Sequence, residues 1–195
     1  MPRRLFVLLI FVGLELAATA RAQTAPAPAF DLPQLMARFS AVKSGTAYFT
    51  EEKYLHILKQ PLHDNGVLIY EAPDKLQKQT LLPTPELLVV IGDTLTVDSR
   101  GKHQTLRLSD YPQLGGFIEG IRATLAGDLA TLQKIYDVRL DGSLDDWHLE
   151  LLPRDPKMQE IMHSIEISGS HNHIRRVETI ERDNDRTDMT IQGNP

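Results

Sequence analysis

The sequence predicts a mainly β fold with some helix: a curled antiparallel sheet of about ten to eleven strands, forming an incomplete β-barrel capped by two or three helices. Three observations lead there. Short β-leaning runs of about five to seven residues recur between Gly, Pro and Asp breakers along most of the chain. Only two stretches carry apolar residues at helical spacing with clear start and stop signals. So few helices cannot cover both faces of so large a sheet, which must therefore curl on itself and take them as a plug or lid.

In chain order, residues 1–22 read as a cleavable secretory signal. Arg3 and Arg4 form the positive start, Leu5 to Leu14 the apolar stretch, and Ala20-Arg21-Ala22 a small-x-small cleavage site. The apolar stretch is about ten residues, half of what a membrane-spanning helix needs. Residues 23–30 (QTAPAPAF) form a flexible Ala/Pro leader, and 31–195 a single domain. Asp31 and Pro33 suit a helix start, and Leu32, Leu35, Met36, Phe39 and Val42 stripe a helix over 32–43. A first strand is expected over 46–58, then a turn at Asp64-Asn65-Gly66. Strands over 67–71, 76–82, 86–91, 94–98 and 103–109 continue as an antiparallel meander.

The period then switches. Leu114, Phe117, Ile118, Ile121 and Leu125 place a second helix within 111–127, closed by Gly127, and 128–133 either extends or follows it. Strands resume at 134–140, 147–152, 164–168, 174–181 and 187–191. Turns are expected at Asp141-Gly142, Asp155-Pro156 and Gly169-Ser170.

Composition narrows the function. The chain has no cysteine, so neither a disulfide framework nor lipid attachment through a thiol is available. Without residues 1–22 it keeps 18 basic and 25 acidic residues, a net charge of −7, and no Lys/Arg cluster. Nucleic acid is not an expected partner, and any contact with lipid must come through apolar surface. A freely diffusing monomer is expected.

Motifs for chemistry are weak. His171-x-His173 could face a metal from one side of a strand, but the pair reads as solvated turn histidines. Asp183-Asn184-Asp185-Arg186 lacks the Gly and the distal Glu of a calcium loop and reads as a hairpin tip. Glu51-Glu52 and Asp145-Asp146 would point to opposite faces of a strand and read as solubility charges. There is no G-x-S-x-G, no cysteine nucleophile and no phosphate-cradling loop. No enzyme activity, metal or cofactor is expected. The apolar positions Leu35, Phe39, Phe117 and Ile121 fit either an ordinary core or the lining of a cavity, which a curled sheet with helices across its mouth would enclose.

The order of segments carries a resemblance. A helix, then Ala47-Tyr48-Phe49-Thr50-Glu51, then Gly66 to Leu76 (GVLIYEAPDKL), Gly92 to Val97 (GDTLTV) and the ending from Ile165 to Ile191 resemble the periplasmic outer-membrane lipoprotein carrier family, LolA-like. The resemblance implies an incomplete barrel that shields acyl chains, with an inner-membrane exporter as donor and an outer-membrane acceptor. With strand alternation, it assigns a ligand-binding cavity to Phe49, Leu68, Tyr70 and Leu76 of the sheet and Phe39, Phe117 and Ile121 of the lids. The carriers place an Arg directly before the strand-ending Pro, tying sheet to lid. Here Ala72 precedes Pro73, and Leu76 and Lys78 stand where cavity aromatics are favoured. This departure implies a related paralogue, not the housekeeping carrier, with an acylated cargo such as a glycolipid, fatty-acyl or polyene-lipid product. The alternative on the same scaffold is an envelope sensor or accessory module whose concave face holds a protein.

Overall fold

A computed structural model describes residues 30–193. The signal over 1–22 and all of the leader but Phe30 lie outside the described residues. Strands β1 (Ser44–Tyr54), β2 (Leu62–Glu71), β3 (Lys75–Leu82), β4 (Glu86–Ile91), β5 (Thr94–Ser99) and β6 (Lys102–Arg107) form the first half. Strands β7 (Tyr136–Ser143), β8 (Asp146–Pro153), β9 (Met162–Ser170), β10 (His173–Glu181) and β11 (Arg186–Gln192) form the second. All eleven lie in one antiparallel sheet ordered β6-β5-β4-β3-β2-β1-β11-β10-β9-β8-β7. The first and last strands pair in the middle, through Phe49 opposite Ile191 and Glu51 opposite Met189. The edges β6 and β7 stay unpaired with each other, so the barrel is open.

Among the described residues four α-helices accompany the sheet: α1 (Leu32–Ser40), α2 (Pro112–Ala126), α3 (Leu129–Ile135) and α4 (Pro156–Gln159). Asp31 caps α1 by accepting from the Gln34 N–H at 2.9 Å, which satisfies one orphan donor of the first turn. A left-handed Gly127 (φ 67°) stops α2, and Asp128 at once caps α3 through the Thr131 N–H at 3.0 Å. The segment after Gly127 is therefore a separate helix. It consumes Lys134 and Ile135, so the strand expected from residue 134 begins at Tyr136.

Other differences have local causes. The first strand ends at Tyr54, not 58, because the chain turns towards Pro61, and Ile57 and Leu58 are left exposed. Asp64-Asn65-Gly66 is no turn but lies within β2. Gly66 sits at a register irregularity against β3, where a Cβ would run into the Gln79 carbonyl. Asp155-Pro156 starts the single turn of α4, with Asp155 accepting from the Lys157 N–H at 2.8 Å. Gly169 and Ser170 remain in β9 because Gly169 lies beneath the Trp147 ring, and the chain reverses one step later at His171 (φ 55°).

The core is asymmetric. Trp147, Leu149, Leu151, Ile165 and Ile167 on β8 and β9 form one buried cluster with Leu35, Met36 and Phe39 of α1 and Leu132 of α3. Phe39 meets Trp147 edge to face at 5.7 Å. Trp147 also donates its indole N–H to the His171 carbonyl at 3.0 Å, which fixes the β9–β10 turn as structure. A smaller cluster, Val90, Leu95, Leu108 and Ile118, joins the β4–β5 end to α2. Phe117 packs against both clusters.

Candidate functional site: an apolar cavity with a charged pair in its wall

Between the two clusters the concave face of β1–β5 and β10–β11 stands away from α1 and α2, leaving a cavity of ≈ 880 Å³. That is at the upper end of the roughly 300–1,000 Å³ of small-molecule sites. Strand alternation builds the wall in cross-strand rows. One row runs Gly45, Tyr70, Leu76, Val90 and Leu95; the next runs Ala47, Leu68, Lys78 and Leu88. Val177, Met189 and Ile191 continue the lining on β10 and β11, and Phe39, Phe117 and Ile121 come from the helices. Leu68, Leu76 and Leu88 point inward yet are only half-buried, because no side chain fills the space before them.

Six of the seven residues expected at a ligand site line this cavity: Phe39, Leu68, Tyr70, Leu76, Phe117 and Ile121. Phe39 is at the same time a wedge of the packed core, 1% exposed. The seventh, Phe49, faces inward but is absent from the lining. Its ring is packed against the Gly66 backbone and lies under the Lys78 ammonium, 5.0 Å from the ring centre.

Glu51 corrects the reading of the Glu51-Glu52 pair as solubility charges. It shares the inward parity of Ala47 and Phe49 and is 3% exposed in the cavity wall. Lys78 reaches across from β3 and donates to both of its carboxylate oxygens at 2.7 Å. Lys53 approaches Glu51 at 3.2 Å and donates to Asp64 at 2.6 Å. Burial by itself lowers the Lys53 pKa, but the Asp64 hydrogen bond and the Glu51 charge outweigh it and hold it above its ordinary value. Further polar lining, Thr179, Glu181 and Thr187, lies on β10 and β11. Burial, then the charges of Asp183 and Asp185, raise the Glu181 carboxyl above its usual range. The sequence signal for this cluster was parity: in an inward-outward alternation, position 51 falls inside and 52 outside.

Two elements tie the lid to the sheet in place of an arginine before Pro73. Arg122 of α2 donates to the Gly92 carbonyl in the β4–β5 turn at 2.9 Å while paired with Glu119. Asp93 of the same turn accepts from the Ser109 N–H and hydroxyl at 2.9 and 2.7 Å, just before α2.

As for metals, His171 Nε2 lies 3.5 Å from Asp145, and the His171/His173 pair belongs to no ligand cluster among the described residues. His56, Asp183 and Asp185 do bring one donor atom each within 4.8 Å of one another. The His56 ring nitrogen and backbone N–H both engage Asp185, at 2.7 and 2.6 Å. That arrangement clips the β1–β2 loop to the β10–β11 hairpin tip through hydrogen bonds to the Asp185 carboxylate.

A half-open barrel lidded by helices over an apolar cavity defines a class of fold with room for a hydrophobic ligand. Within that class, residues 24–194 match the family described as outer membrane lipoprotein carrier protein LolA-like, and the chain belongs to it. The family is one of binding and carrier proteins. No curated protein matches the sequence.

Similar solved structures include a LolA superfamily protein of Nitrosomonas europaea, at 10% identity and a TM-score of 0.47, covering 85% of this chain and 93% of that one. A DUF1329 family protein of Desulfovibrio piger aligns at 12% identity and 0.48, covering 84% and 90%. The lipoprotein LppX of Mycobacterium tuberculosis aligns at 9% and 0.40, covering 83% and 95%.

Proposed function

We propose that this chain is an extracytoplasmic carrier that holds the acyl part of a lipid, acylated molecule or lipoprotein in its cavity and moves it between membranes. What carries the reading is the ≈ 880 Å³ apolar space between the β1–β5 wall and α2, lined from the helix by Phe117 and Ile121. At about 0.8 kcal/mol per buried methylene, a chain of about sixteen carbons holds on the order of 12 kcal/mol of transfer free energy. It leaves a bilayer at a useful rate only when a comparable apolar volume replaces the bilayer.

The remaining steps follow from this role. Residues 1–22 direct export to the periplasm and are removed, an inner-membrane exporter loads the cargo, and an outer-membrane acceptor receives it. Entry requires α2 to swing from the sheet, breaking the Arg122 and Ser109 hydrogen bonds to the β4–β5 turn.

Uptake of a fluorescent acyl probe by delipidated protein tests the proposal. Wild type should saturate with the probe, and Phe117→Asp, folded by circular dichroism, should lose at least about tenfold in affinity for it, since a carboxylate then faces the chain. Equal uptake by both would refute it.

A further inference from the structure

The wall of the cavity contains an ion pair where apolar residues would serve stability as well. Lys78 is flanked in its cross-strand row by Leu68 and Leu88, yet it carries an ammonium bonded to the almost fully buried Glu51. A buried pair is weak support for a fold, because desolvation of both ions offsets their attraction. Its arrangement suits exchange. An ammonium has three donors, and Glu51 takes two of those on Lys78. Lys53 also contacts Glu51, so Glu51 stays paired when Lys78 turns to another acceptor. The Phe49 ring holds Lys78 in place and keeps its ammonium at the wall.

We propose that Lys78 is the head-group anchor of the cavity. It binds the oxyanion, carboxylate or phosphate, of a single-headed acyl amphiphile whose chain runs along Leu68, Leu76, Leu88 and Val90 towards α2. This rests on the reading of the cavity as an acyl-chain site and adds the class of its cargo. Lys53 and Asp64 form the charge reserve that keeps Glu51 compensated during the exchange.

Delipidated mature protein is titrated at pH 8 with palmitate and with its methyl ester, which share a chain and differ in charge. Wild type should bind palmitate about tenfold more tightly, the worth of one charge-assisted hydrogen bond. Lys78→Gln should bind the two alike, and Lys78→Arg should restore the preference. Sodium acetate should not displace palmitate.

Equal binding of acid and ester by wild type, or a preference retained in Lys78→Gln, overturns the anchor while leaving the cavity reading intact. Displacement by acetate also overturns it, by making Lys78 a free-anion site. Binding of neither probe overturns the cavity reading and the anchor with it.

Discussion

Replacing Gly66 by alanine tests how the sheet supports the charged wall. Gly66 faces Phe49 across β1–β2 and Thr80 across β2–β3, at the register irregularity. A Cβ there would run into the Gln79 carbonyl and come within 2.9 Å of Phe49 Cε1. The obstruction is ladder backbone, which cannot swing aside as a side-chain tip can. Overpacking costs about 1–3 kcal/mol, and this site belongs at the upper end; the entropy saved in the unfolded chain returns only about 0.4–1 kcal/mol. A net loss of about 2–3 kcal/mol lowers the melting temperature by roughly 5–10 °C in a domain of this size.

Gly101→Ala is the control. Its Cβ meets nothing within 4 Å, so only the left-handed φ of +73° opposes it, costing about 1–2 kcal/mol. Thermal unfolding followed by circular dichroism should rank wild type above Gly101→Ala and Gly101→Ala above Gly66→Ala. A Gly66→Ala protein melting with wild type would refute the close approach of β2 and β3 and the packed seat of Phe49.

Two further outcomes are expected. Arg122→Ala removes the 2.9 Å bond to the Gly92 carbonyl, so amide exchange in α2 should rise about tenfold while β8 and β9 stay protected; unchanged α2 exchange would deny the tie. The hydrogen bond that the His56 ring donates to the Asp185 carboxylate raises the His56 pKa, so the folded state gains when the ring is protonated. That gain is complete below the ordinary histidine value of about 6.5 and fades as pH rises through the folded pKa of His56. Ring-proton NMR titration should give His56 a pKa above that value, falling back in Asp185→Asn; identical titrations would remove the clip between the two loops.

What the sequence disclosed was what local chemistry decides. The eleven β-leaning runs, the Asp31 cap and the Gly127 stop each act within a few residues, and all correspond to elements of the fold. Boundaries that depend on distant partners were not legible. Asp64-Asn65-Gly66 has the composition of a turn, and only the approach of β3 makes Gly66 a strand residue. Gly169 likewise stays in β9 because Trp147, from another strand, lies over it.

At the site, alternation was enough to place Leu68, Tyr70 and Leu76 on the concave side. It could not separate wall from filling, so Phe49 looked equivalent to Leu68 although its ring is sealed beneath Lys78. Glu51 was hidden for the opposite reason. Adjacent acids usually lie in water, and Lys78, its partner from another strand, is 27 residues away in sequence. The β8–β9 half is tightly packed and the β1–β5 half encloses space, an asymmetry set by where α1 and α2 settle and carried by no local pattern.

The most direct measurement is native mass spectrometry of the protein purified gently from the envelope fraction. Bound acyl-chain lipid should appear as a discrete mass adduct that vanishes on delipidation and returns on incubation with lipid. A protein that flies bare before and after such incubation would contradict a carrier cavity between β1–β5 and α2.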